Sequence, residues 1–160
     1  MDDILNKEPV KRVEAFINKF DPNLKILLLN TTARTAKEAS SSLKCEVGSI
    51  IKSLLIKVNK DFLICLIAGD RRCSLNKLKK ILKKKDVRMA SAEEVKINTG
   101  FSIGGVAPIA HQSKLNVLID KSLNRYNEIY AAAGHPNCVF KISYDQLIKI
   151  TNGSEKEISE

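Results

Sequence analysis

The chain has 160 residues, 44% of them hydrophobic and 28% charged, with four cysteines, two histidines and a formal net charge of +9. That length makes about one domain with a proper core, built mostly from Ile, Leu, Val and Ala because Trp is absent. The cysteines form no CxxC pair or zinc spacing, the apolar runs are too short to span a bilayer, and MDDILNKEPVKR is no signal peptide; these features speak against zinc-binding, membrane and secreted classes and make a cytoplasmic setting the simplest.

In chain order, Val10, Val13, Phe16, Ile17 and Phe20 recur at helical spacing, predicting a first helix over residues 9–20 with Pro9 in its first turn. KILLLN, residues 25–30, reads as a short buried strand. Thr35 and Glu38 form a capping box that opens a second helix, ending near residues 43–45. Residues 50–58 and 62–68 read as two strands of a hairpin, joined by the turn residues Asn59, Lys60 and Asp61. Cys65 falls in the second of these runs and reads as core packing. Ser74 caps a helix over residues 75–84 with Leu75, Leu78 and Leu82 as its buried stripe, and Ser91 with Glu94 opens a short helix that stops before Gly100. Strands follow at 117–119, 128–132 and 139–142, then a last helix capped by Ser143 and Gln146 and ended by Asn152-Gly153. The polar residues 154–160 read as a frayed tail beyond a domain of residues 1–153. Helices and strands mix without strict alternation, which argues one α+β domain around a mixed sheet.

Four stretches carry candidate chemistry. TGFSIGGVAPIAH, residues 99–111, crowds Gly104, Gly105 and Pro108 into a GxxxP spacing. Its backbone N–H groups can face a carbonyl or phosphate oxygen, or it can be a tight bend between elements. AAAGHPN, residues 131–137, sets His135 after Gly134, either as a hydrogen-bonding group or as a structural turn residue. Lys52 interrupts an apolar strand, pointing into a cleft or out to water, while Lys57 points the other way and reads as a surface residue. Between Arg71 and Arg88 stand nine Lys or Arg residues and one acid, with Lys77, Lys80 and Lys84 on one helix side. That side fits a phosphate backbone or a solvated face, and the net charge leaves the same two readings.

TTARTAKEAS, IIKSLLIKV, AGDRR, TGFSIGGVAPIAH and AAAGHPN stand in one order along the chain. That ordered set resembles the YbaK/prolyl-tRNA synthetase-associated domain family, over residues 10–153. The resemblance implies a partly closed mixed sheet wrapped by helices, and hydrolysis of the ester of wrongly charged tRNA carrying a small amino acid such as Ala, Ser or Thr. It makes Cys the least favoured substrate, because Gly134-His135-Pro136 looks unlike the cysteine-clearing branch. No cofactor or metal is implied. The partner is the tRNA acceptor end, with an aminoacyl-tRNA synthetase as a further possible partner and no membrane.

By the same resemblance, Lys52 is the family's lysine, residues 104–108 its GxxxP loop, and Gly134 with His135 its second loop. Lys52 would hold the terminal phosphate or the ester carbonyl, and His135 would bound the amino-acid pocket or orient the attacking group. N–H groups near Gly104, Gly105 and Gly134 would stabilise the oxyanion, with water or a ribose hydroxyl attacking. Ala131, Ala132, Ala133, Ile103, Val106 and Ile109 would wall the pocket, Pro108 and Asp70 would add substrate contacts, and Lys77, Lys80 and Lys84 would touch the acceptor stem. Two other classes remain open: a non-catalytic tRNA- or synthetase-binding module of this fold, and a hydrolase of another small acyl ester.

Overall fold

The computed structural model describes residues 2–30 and 33–160. Two short sheets carry the architecture. The first is a five-stranded mixed sheet of β2 (Ile51–Val58), β3 (Asp61–Ala68), β4 (Val87–Met89), β5 (Asn116–Asp120) and β8 (Ser154–Lys156), in the order β4-β2-β3-β5-β8. The second holds β1 (Ile26–Leu28), β6 (Ile129–Ala132) and β7 (Cys138–Ile142), antiparallel, in the order β1-β7-β6. They meet where Ile50 bridges Tyr130. The expectation of one partly closed sheet is therefore met by two sheets joined at a seam, within a single α+β domain.

The helices are α1 (Asp2–Leu5), α2 (Glu8–Phe20), α3 (Ala36–Leu43), α4 (Leu75–Leu82), α5 (Ala92–Thr99) and α6 (Tyr144–Thr151). The capping boxes read at Thr35, Ser91 and Ser143 all form, and each fixes where its helix begins. None of these helices is long and apolar enough to cross a membrane.

The β2–β3 hairpin turns at Asn59, which takes a left-handed φ of 56°, and sets Lys52 opposite Ile67 and Leu54 opposite Cys65. Its side chains alternate between two cores. Ile51, Leu55, Ile64 and Leu66 join Val13 and Ile17 of α2 and Phe140 and Ile142 of β7. Ile56, Val58, Cys65 and Ile67 pack on Leu78 of α4 and on Ile158.

The frayed tail is corrected. Residues 154–156 pair in parallel with β5, and Ile158 is fully buried. Asp120 holds this segment in place: its carboxylate accepts hydrogen bonds from the Ile158 N–H and the Ser159 hydroxyl, both at 2.8 Å. The residues look polar because all three residues of this edge strand are solvent-exposed, while one isoleucine and one buried carboxylate do the anchoring.

Candidate functional site

A cavity of about 420 Å³ opens where the two sheets meet. β2 forms one wall, the start of α3 and Pro136 another, and Ile103, Gly104 and Val106 from the loop after α5 a third. Five alanines line it, Ala33, Ala36, Ala39, Ala90 and Ala132, so the space is bounded by short side chains. Ile103 at its edge is 63% exposed, and Met89 is also exposed there.

Lys52 is one of the residues that line this cavity and is half-buried. Its Nζ donates to the Arg71 carbonyl. Burial pushes its pKa below the ordinary 10.5, with Cys73 and Asp70 opposing that shift and Arg72 adding to it. Lys57, on the opposite face, pairs with Glu94 at 2.8 Å, more tightly engaged than a plain surface residue.

The two glycine loops meet each other. The Gly134 N–H donates to the Gly105 carbonyl at 3.0 Å, and a Cβ on Gly105 would stand 2.9 Å from the Gly134 carbonyl carbon and the His135 nitrogen. Gly134 has φ +90°, and a Cβ there would lie 2.7 Å from the Pro9 carbonyl. These two positions admit no side chain because backbone meets backbone. Gly104, with φ +96°, borders the cavity directly. The pairing corrects one expectation: the Gly134 N–H is committed to Gly105 and the Gly105 N–H to the Ser102 carbonyl, so neither is a free oxyanion donor here.

Other expected site residues are placed differently. Ala132, not Ala131 or Ala133, faces the cavity; the latter two are fully buried in the main core, as strand alternation around β6 requires. Pro108 and Ile109 line a second, smaller cavity of about 210 Å³ beside His111. Asp70 does not line the first cavity: Arg125 grips it at 2.9 and 2.7 Å and holds its carboxyl below the ordinary range. The His135 ring does not line it either. Its Nδ1 accepts from the Asn137 N–H at 3.0 Å, which places the ring proton of the neutral form on Nε2, and burial lowers its pKa. Lys77 donates to the Ser159 carbonyl at 2.6 Å, which ties it to the C-terminal segment, while Lys80 and Lys84 are exposed.

Three residues bordering the cavity were not singled out from the sequence. Arg34 lies inside the TTARTAKEAS stretch, whose Thr31 and Thr32 fall outside the described residues. Cys138 is buried, which pushes its thiol up to about 11, so no thiolate nucleophile is available from it. Ser53 follows Lys52 on β2 and reads in the sequence only as part of an apolar strand face; its hydroxyl is the one buried side-chain polar atom without a hydrogen-bond partner among the described residues.

The sequence profile of the aminoacyl-tRNA editing domain matches residues 30–150. A relative in Enterococcus faecalis, provisionally named as the Cys-tRNA(Pro)/Cys-tRNA(Cys) deacylase EbsC, is 27% identical over 78% of this chain and 77% of its own length. The proline–tRNA ligase of Kosmotoga olearia is 37% identical over 54% of this chain, which spans only 15% of the ligase. A crystal structure provisionally described as a trans-editing enzyme for prolyl-tRNA synthetase superimposes with a TM-score of 0.90 at 33% identity, covering 96% of this chain and 98% of that one. Fold, cavity and sequence lead to one assignment: this chain belongs to the aminoacyl-tRNA editing domain family, the YbaK-type deacylases.

Proposed function

We propose that this chain acts in trans as a deacylase, hydrolysing the ester of tRNA mischarged with a small amino acid such as Ala, Ser or Thr. The observation that carries the reading is the small-walled cavity with Lys52 and Gly104 among its lining residues. The acceptor end would bring the ester to that border and direct the amino-acid side chain inward. A synthetase pocket cannot strongly reject a smaller amino acid, since one methylene is worth about 1–3 kcal/mol. A second cavity bounded by alanines solves this by admitting what is small and excluding what is large.

An aminoacyl ester needs no protein nucleophile. Water attacks the carbonyl carbon, negative charge grows on the carbonyl oxygen, and the ribose oxygen leaves with a proton from the attacking water, releasing the free amino acid. In this reading Lys52 and the Gly104 N–H, both from residues that line the cavity, would meet that charge. Lys52 would exchange its bond to the Arg71 carbonyl for one to substrate. Exposed Lys80 and Lys84 would meet acceptor-stem phosphates.

The test is a deacylation screen with purified protein and tRNA charged with Ala, Ser, Thr, Cys or Pro. Clearance of at least one small ester, with correctly charged prolyl-tRNA spared, is the expected outcome. Tight tRNA binding with no clearance of any ester would instead make the chain a binding module.

A further inference from the structure

The loop after α5 leaves the helix and returns to it. The Gln112 N–H donates to the Thr99 carbonyl at 3.1 Å, and the Ser113 N–H to the Asn98 carbonyl at 2.9 Å. Between those closed ends the chain runs out to Ile103, Gly104 and Val106, the third wall of the cavity. No helix or strand stiffens this stretch, so the position of the wall depends on what grips the loop from outside.

Arg12 of α2 grips it. From a side chain only 20% exposed, Nε donates to the Ala110 carbonyl at 2.8 Å and Nη2 to the Thr99 carbonyl at 3.3 Å. The guanidinium carbon also stands 4.5 Å from the centroid of the fully buried Phe101 ring. One planar fork thus spans the outgoing and the returning limb of the loop. Ala110 is held at a φ of +62°, a left-handed conformation that a residue with a β-carbon keeps only where its surroundings impose it. The bond to its carbonyl is one such constraint. Pro9, on the same helix, lies against Gly134, which is itself bonded to Gly105, so α2 backs both glycine loops. Arg12 does not line the cavity, and what it does for substrate it does through the loop.

We infer that Arg12 is a positioning residue that sets how far the Ile103–Val106 wall reaches into the cavity, and with it the size of amino acid the cavity admits. This inference rests on the deacylase reading and adds to it how the size limit is held.

The experiment measures kcat/KM of the full chain and of its Arg12→Ala and Arg12→Lys variants on two substrates, the best-cleared small ester from the screen and prolyl-tRNA. Hydrogen exchange is followed in the same proteins. Both substrates meet the same folded population, so mere loss of folded enzyme lowers both rates alike and leaves their ratio unchanged. In Arg12→Ala the small-to-prolyl ratio should fall about fivefold or more, a part of the roughly 10–200-fold that one methylene of fit is worth. Amides of residues 100–111 should exchange about tenfold faster while those of β3 stay protected. Arg12→Lys keeps the charge but replaces the fork by a point donor, and its ratio should stay about threefold or more below wild type. An unchanged ratio in Arg12→Ala overturns the inference and leaves the deacylase reading standing. Full recovery in Arg12→Lys does the same, because charge alone would then suffice. Faster exchange spread equally over β3 and the loop would assign Arg12 to the global fold, which also overturns it. Failure of the wild type to clear any ester overturns both.

Discussion

Replacing Lys52 by alanine separates a catalytic ammonium from a structural one. Lys52 is half-buried, and its partner is the carbonyl of Arg71, an exposed residue. When the side chain is removed, water can reach that carbonyl, and the burial that lowers the lysine's pKa no longer opposes a charge. The net stability change should stay under about 1 kcal/mol, or a melting shift within roughly 2–4 °C for a domain of this size. In the proposed site the ammonium is one of two groups facing the developing oxyanion. Loss of one such donor costs about 10²–10³ in rate, roughly 2.7–4 kcal/mol of barrier. Single-turnover deacylation of the best substrate from the screen, run beside thermal melting, reads both quantities. Turnover within a few-fold of wild type would remove Lys52 from the chemistry. A rate loss accompanied by a melting drop of roughly ten degrees or more, beyond what one exposed hydrogen bond can supply, would assign it to the fold instead.

Ile158→Ala should destabilise the domain by about 2–5 kcal/mol, a large effect for a residue so near the C-terminal end of this chain, because the side chain is fully buried against Leu78 and Val87; denaturant unfolding measures it, and a change below about 0.5 kcal/mol would refute the anchored strand. Burial holds His111 below its ordinary value of 6.5 while its Nε2 bonds the Ala107 carbonyl at 2.8 Å. Its folded pKa is the lower one, so the unfolded chain takes up the proton first; stability is full above the ordinary value and is lost as pH falls through it, and His111→Gln should flatten that slope in unfolding midpoints taken from about pH 8 to 5. Binding of uncharged tRNA should weaken steeply with salt, and the double variant Lys80→Ala/Lys84→Ala should reduce the log–log slope by about 1 for each phosphate left without its lysine. Lys77→Ala should change that slope less, because Lys77 is already committed to the Ser159 carbonyl; equal effects at all three lysines would contradict that commitment.

The elements governed by local rules were legible in the sequence. Thr35, Ser91 and Ser143 announce their helices through partners three residues away, and Asn59 announces the hairpin. The features set by distant partners were not. Nothing in SEKEISE indicates that Asp120, 38 residues before Ile158, accepts its N–H. The mutual closure of Gly105 and Gly134 is equally invisible, since each glycine alone reads as a bend open to a ligand. Lys52 and Gly104 both line one cavity, but the family resemblance could not tell which alanine of AAAGHPN faces inward; that depends on where β6 stops. Ser53 was missed because a serine in an apolar strand carries no periodic signal. Its interest lies in a missing partner, which only coordinates reveal.

The clasp between the two glycine loops also divides the site into parts that can and cannot be redesigned. At Gly105 and Gly134 any β-carbon collides with main chain, so those positions form a rigid hinge-pin that substitution would break. Ala90 and Ala132 are side chains on the cavity wall, where a methylene more or less resizes the chamber and leaves the pin intact. An engineer wishing to retune the proposed proofreading chamber should therefore carve its lining and leave its pin alone.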